Sequence, residues 1–213
     1  MLKENKKTLV ITSIVTLLPM LAGIYFWRRL PDVMATHFGF GNEADGFTSK
    51  TIAVFVMPLF LLAIEWVGAI VTSRDPRKQN ISPKMFVLAL WLVPAVSLAG
   101  AATIYPYNLG YSVNIALVGQ LVVGLLFMII GNYLPKARQN YTVGIKIAWT
   151  LANEENWNRT HRLAGYLWMI GGLLLIINAI TRICRPEWML CIFAVMVLVP
   201  FVYSFWLHEK KGL

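Results

Sequence analysis

Long apolar runs separated by short polar ones dominate this chain. Six stretches, 8–27, 51–73, 85–104, 112–131, 163–181 and 188–207, each approach the ~20 mostly apolar residues that a helix needs to cross a bilayer. The pattern predicts an all-α integral membrane protein with six transmembrane helices and a single membrane domain over 1–213. The first run has a basic preface of Lys3, Lys6 and Lys7, but it is too long for a cleaved leader and reads as a retained helix. Trp27, Trp66, Trp188 and Trp206 fall near span ends, where aromatic rings sit at the headgroups. Two polar segments interrupt the pattern, an outer loop over about 28–50 and an inner one over about 132–162. The second far exceeds the ~2–8 residues of most helix connections.

Composition supports lipid as the solvent, since 58% of residues are hydrophobic and 14% charged. A net charge of +9 would suggest nucleic acid in a soluble chain, but here the cations follow topology. Fourteen of the nineteen Lys and Arg residues collect on one side of the six spans, and five (Arg28, Arg29, Lys50, Arg182, Arg185) on the other. The positive-inside rule then places both termini and the 132–162 loop in the cytoplasm, with 28–50 outside. The charge is accounted for by orientation and anionic lipid, and no direct nucleic-acid partner is implied. Cys184 and Cys191 lie close enough in sequence to pair but read as free thiols, and no zinc-ligand spacing occurs.

Polar groups within the spans are few. Glu65 is the one acid well inside a span, where it reads as a proton or cation site or as a hydrogen-bonded group facing another helix. Pro19, Pro58, Pro94 and Pro200 interrupt four spans, and Asn114, Gln120 and Asn178 suit bonds between helices. Similar endings to spans one and four, at Leu30-Pro31 and Leu134-Pro135, faintly outline a three-plus-three inverted repeat.

The outer loop reads LPDVMATHFGFGNEADGFTSK over 30–50. Its glycines and Asp45-Gly46 signal turns, and Phe38, Phe40 and Phe47 give it apolar weight for packing on the bundle or the membrane surface. GFGNEA over 39–44 fits a dinucleotide-binding expression, but no strand–helix crossover surrounds it. His37, Glu43 and Asp45 are candidate donors to a divalent cation, against a purely hydrogen-bonded loop; no metal or other cofactor is assigned. In the inner loop Thr150 is a candidate cap for an amphipathic helix from Leu151, lying at the interface before it turns into span five. Glu155 and Arg159 stand at i and i+4, Trp157 and His161 share a face, and Trp149 stands at the entry.

Asn140-Tyr-Thr-Val-Gly-Ile-Lys-Ile-Ala-Trp-Thr-Leu151, with Trp157 and Thr160-His-Arg162, resembles the signature of the SdpI family of bacterial membrane proteins. The stretch with Pro31, His37-Phe38, Gly41, Asp45 and Lys50 resembles the domain of unknown function at that family's N-terminus. The likeness covers 1–73 and 112–207. It implies an immunity protein, not an enzyme, in the cell membrane of a bacterium that secretes a killing peptide, together with recruitment of a cytosolic transcriptional repressor. By that likeness Pro31, His37, Phe38, Gly41, Asp45 and Lys50 would meet the toxin or shape the outer loop. Asn140, Gly144, Lys146, Trp149, Thr150, Trp157, Thr160, His161 and Arg162 would bind or couple to the repressor. Lys146 replaces a usual arginine, losing its planar fork, and Ala148 and Ala35 replace usual prolines. Two other readings stay open on the residues: a small transporter or channel built on Glu65 and the prolines, and a membrane enzyme using His37 with Asp45 or His161 with Glu154.

Overall fold

The computed structural model describes residues 1–39, 41–184 and 186–213, with the side chains of Pro186 and Glu187 left aside. Phe40 of the outer loop and Arg185 of the basic count lie outside the described residues. Helix α1 spans Lys6–Tyr25, and strands β1 (Val33–Phe38) and β2 (Ala44–Ser49) follow. A π-helical turn, Ile52–Val56, leads into α2 (Met57–Ser73). Next come α3 (Pro83–Asn108), α4 (Ile115–Tyr133), a five-residue α5 (Ala148–Ala152), α6 (Glu154–Thr181) and α7 (Pro186–Lys211). Among the described residues six helical segments are long and apolar enough to cross a membrane. Outward positions such as Leu21 and Phe60 are more than 60% exposed, as lipid-facing residues are.

Two compact units result, one from Met1–Ile70 with Val87–Gly119 and the other from Val71–Phe86 with Gln120–Leu213. In the first, Leu30, Met34, Ala53, Val54 and Tyr105 form a buried cluster under the β-hairpin. Tyr105 Oη donates to Pro19 O at 2.8 Å, tying α3 to α1. In the second, α4 and α6 approach at two glycine pairs. A methyl at Gly124 would lie 2.7 Å from Gly172 O, and one at Gly131 would lie 2.9 Å from Gly165 O. On each helix the two glycines are seven residues apart, two helical turns, so both contacts fall on one face. Small residues let backbones touch where lipid supplies no hydrophobic drive.

The structure departs from the sequence reading in three places. The all-α expectation gives way over 33–49 to an antiparallel hairpin, with Val33 opposite Ser49 and Phe38 opposite Ala44. The register shifts around His37. The expected interfacial helix from Leu151 does not form, because Thr150 lies inside α5 and Asn153 caps α6. Asn153 Oδ1 accepts from Glu155 N (2.8 Å) and Asn156 N (3.0 Å). With no glycine or proline between 154 and 163, α6 runs unbroken into its apolar part. Asn114, read as an interhelical group, caps α4 by accepting from Leu117 N at 2.9 Å. Gln120 and Asn178 do bond between helices, at 3.3 Å.

Candidate functional site

The hairpin is fastened at three points. Asn108 Nδ2 donates to Ala35 O, and its Oδ1 accepts from Ala35 N, at 2.9 and 2.8 Å. Lys50 Nζ donates to Trp27 O, Leu30 O and Asp32 Oδ1 while resting 4.9 Å from the centre of the Trp27 ring. A cation thus meets the free carbonyls after α1, where the helix dipole favours it. The third tie is Asn42, in the left-handed region at φ 72°. Its Oδ1 accepts from Ile115 N (2.6 Å) and Ala116 N (3.1 Å), and its Nδ2 donates to Val113 O. With Asn114 taking the N–H of Leu117 on its side chain and of Val118 on its carbonyl, the N–H groups of the first four residues of α4 are all satisfied. Asn42→Ala is expected to destabilise the protein by about 1–2 kcal/mol, and Asn42→Asp by less because it keeps the acceptor. Thermal unfolding in detergent compares the two.

Among the outer-motif residues, His37 Nδ1 and Asp45 Oδ1 pair at 2.5 Å across the strands, well exposed. Phe38 packs edge-on to Tyr107, with centroids 4.8 Å apart. Pro31 and Gly41 are exposed, and Phe47, 62% exposed, is not packed on the bundle. Among the described residues no three His, Cys, Asp or Glu side chains converge as a metal would need, and Glu43 does not complete a set with His37 and Asp45. Cys184 and Cys191 are free and exposed. Glu65 is buried, 3% exposed, with Oε2 accepting from Thr16 Oγ1 at 2.7 Å.

The inner motif builds a compact loop against α6. Pro135 ends α4 in a 3₁₀ turn, Leu134–Lys136, and the backbone over 137–147 then needs partners that no ladder supplies. Asn140 supplies four. Its Nδ2 donates to Arg138 O and Val143 O, and its Oδ1 accepts from Thr142 N and Val143 N, all within 2.6–2.9 Å. Gly144 follows at φ 125°, where a methyl would lie 2.9 Å from the Trp157 ring and closer still to His161 Nε2. Only glycine lets the chain pass so near the aromatic pair.

His161 and Trp157 stack with centroids 3.9 Å apart, both fully buried. Ile145 N donates to His161 Nε2 at 2.9 Å, so the ring proton sits on Nδ1, which meets Trp157 O at 2.8 Å. With both nitrogens engaged, His161 does not pair with the exposed Glu154, and the acid–base arrangement considered for them does not form. Trp157 Nε1 donates to Ala137 O at 2.7 Å. Thr150 Oγ1 donates to Ile145 O (2.7 Å) and accepts from Ile147 N (3.1 Å). Thr160 Oγ1 donates to Asn156 Oδ1. Trp149 lies edge-on to Phe201 and Phe205 of α7. Lys146 and Arg162 are exposed, the former donating to Thr142 O. Glu155 and Arg159 form the expected i,i+4 pair.

Three residues that sequence reasoning missed hold this loop. Asp75 is 3% exposed; its Oδ2 accepts from Tyr141 N and Thr142 Oγ1, both at 2.9 Å, and its Oδ1 accepts from Arg77 N at 2.7 Å. Gln139 donates to Thr150 O and Leu151 O, and receives Arg77 Nη1 on its side chain and Asn80 Nδ2 on its carbonyl. Asn156 donates to Ser204 O and Leu213 O and accepts from Ser204 Oγ, so α6, α7 and the C-terminal carbonyl meet there. Asp75 carried one signal, as the lone acid in an otherwise basic connection between spans two and three.

The exposed remainder around the loop is basic, with Arg74, Lys78, Lys136, Arg138, Lys146 and Arg162 all at the surface. The motif therefore divides into a buried frame (Asn140, Thr150, Trp157, Thr160, His161) and a cationic exterior.

Comparison with known proteins matches two separate stretches of the chain. Residues 136–204 match the SdpI/YfhL protein family, and residues 14–62 match a domain of unknown function (DUF1648). The chain is 26% identical over 199 residues to a Bacillus subtilis (strain 168) protein named Immunity protein SdpI, covering 92% of this chain and 91% of that one. No solved structure matches. With the family match falling on the buried frame and the similarity running nearly end to end, the chain is similar to the SdpI family, and its long apolar helices are those of a multi-pass membrane protein.

Proposed function

We propose that this protein is an immunity protein of the bacterial cell membrane, protecting its host against a secreted toxic peptide. The observation that carries the reading is similarity across nine-tenths of both chains to a protein named for immunity. In this reading both termini and the 136–162 loop face the cytoplasm, and the hairpin faces outside. The cation count supports that orientation. The hairpin rim, with Pro31, His37, Gly41 and Asp45, is the surface a peptide meets first. On the other face Lys146 and Arg162, displayed by the buried frame, hold a cytosolic repressor through an acidic patch of its own. Trp157 and His161 act by positioning, since neither reaches solvent. A ligand transmits a signal only if it binds two states of the protein unequally.

The test is loss and rescue. Cells lacking the gene are expected to be killed by the secreted activity of their sister cells, and a plasmid copy is expected to restore survival. Equal survival with and without the gene overturns the reading. Cysteines placed at Gly41 and Lys146 are expected to label from opposite sides of the membrane. Charge reversal at Lys146 and Arg162 is expected to reduce repressor capture about tenfold or more while leaving survival intact.

A further inference from the structure

Helices α1, α2 and α3 meet around one carboxyl group. Thr16 donates to Glu65 Oε2, and Ser97 Oγ donates to Thr16 O at 2.8 Å, so all three helices fix the group. Among the described residues Glu65 Oε1 has no hydrogen-bond partner, and no Lys, Arg or His pairs with Glu65. The polar side chains bonded near this level of the three helices are Ser13 and Thr16 of α1, Trp66 of α2 and Ser97 of α3, none of them charged. The nearest cations along those helices are Lys7, nine residues before Thr16, Arg74, nine after Glu65, and Lys84, thirteen before Ser97. These separations correspond to roughly 13–20 Å of helix. A carboxylate with one hydrogen bond and no counter-charge is costly to keep in hydrocarbon. A proton on Oε1 removes the charge and leaves the bond from Thr16 in place.

An apolar cavity of about 220 Å³ lies among the same three helices, about one turn from this group. Leu61, one turn before Glu65, lines it, as do Pro19, just after Thr16, and Ser97 itself. Phe60 and Val96 also line it and are 63% and 47% exposed, so the cavity opens sideways between α2 and α3 toward lipid. Gly100 forms part of its wall, with no atom within 4 Å of where a Cβ would stand.

We propose that Glu65 is an intramembrane proton-binding site reached from the lipid: Thr16, itself bonded by Ser97 through its backbone carbonyl, holds the carboxyl, Oε1 carries the proton, and the cavity admits uncharged lipophiles bearing a hydrogen-bond acceptor. The site is independent of the immunity reading, and it gives the proton-site role considered for Glu65 a specific chemistry.

The test is carbodiimide labelling of the purified full-length protein in lipid nanodiscs, mapped by peptide mass. The reagent takes the acid proton on its nitrogen, and the carboxyl oxygen adds to its central carbon. The O-acylisourea that results retains every atom. Dicyclohexylcarbodiimide is expected to label Glu65, and a water-soluble carbodiimide to do so at least about tenfold more slowly. Filling the cavity with Gly100→Phe is expected to slow the lipophilic reaction by a similar factor, as is Val96→Phe at the mouth should the first variant fail to fold. Glu65→Gln, which keeps the shape and removes the acid, is expected to melt at the wild-type temperature. An unlabelled Glu65, equal rates for the two reagents, no effect of filling, or a large drop in the melting temperature of Glu65→Gln would each overturn the proposal.

Discussion

Gly144→Ala is expected to be the most damaging conservative change in the 137–147 loop. At φ 125° an L side chain is strained whatever room it has, and here there is none. The new methyl would press on Trp157 and His161, which are both fully buried and stacked on each other. Backbone strain of about 1–3 kcal/mol and overpacking of similar size add to roughly 2–6 kcal/mol. Relief requires Ile145 to move, and that breaks the bond from Ile145 N to His161 Nε2. The variant is therefore expected to lose the loop before the helices. Trypsin is expected to cut after Arg138 and Lys146 in Gly144→Ala well before it cuts the wild type, and the thermal midpoint in detergent is expected to fall. Gly68→Ala is the control, because no atom lies within 4 Å of its Cβ position and its φ is ordinary; it is expected to change neither readout.

The spans were legible because hydrocarbon imposes a length and a polarity that any linear reading detects. The hairpin was not, and its strands show why. β1 buries two consecutive residues, Met34 and Ala35, because the register shifts near His37. That defect erases the alternation that identifies a half-buried strand. Phe47 added to the confusion, since its apolar ring is displayed rather than packed. The start of α6 was misplaced for a different reason. Glu154, Glu155, Arg159 and Arg162 suggested a helix lying on the surface, yet Asn156, Trp157, Thr160, His161 and Ala164 form a buried face of the same helix. The period was present in the sequence, but the polar residues on that face find their partners in a distant loop and in Ser204, which local pattern does not reveal.

The site was legible to the extent that it is a contiguous motif. Asn140, Gly144, Thr150, Trp157, Thr160 and His161 do come together, but as a frame rather than as a contact surface. Aromatic rings beside arginines in sequence suggest an exposed binding face; the structure turns the rings inward and leaves the arginines outside. Gln139 and Asn156 were invisible because an amide announces nothing until its partners are known. Each spends its donors on backbone carbonyls that belong to other elements.

Asp75→Ala is expected to produce the second large effect, and it tests whether the loop is fastened from outside its own motif. The carboxylate accepts from two backbone N–H groups, of Tyr141 and Arg77, and from the Thr142 hydroxyl. Alanine removes all three acceptor contacts. The hydroxyl has an alternative in Asn140 Oδ1, 3.4 Å away, but the two amides are fixed by the chain. Leaving them unpaired in a buried place costs about 2–4 kcal/mol. Asp75→Asn is expected to fall between alanine and wild type, because its single carbonyl can serve the Arg77 side or the Tyr141 side but not both, and its NH₂ faces a donor. Thr142→Val removes one donor and is expected to cost about 1 kcal/mol. Combined with Asp75→Ala it is expected to add less than that, since the partner is already gone. Unfolding midpoints of the four variants in one detergent provide the comparison. If Asp75→Ala cost no more than Thr142→Val, the carboxylate would not be the fastening, and the order of the frame would rest on Asn140 and Gln139 alone. If it costs the larger amount, the proposed repressor capture is expected to fail in Asp75→Ala while Lys146 and Arg162 remain untouched, because a cationic surface is only as specific as the backbone that spaces its charges.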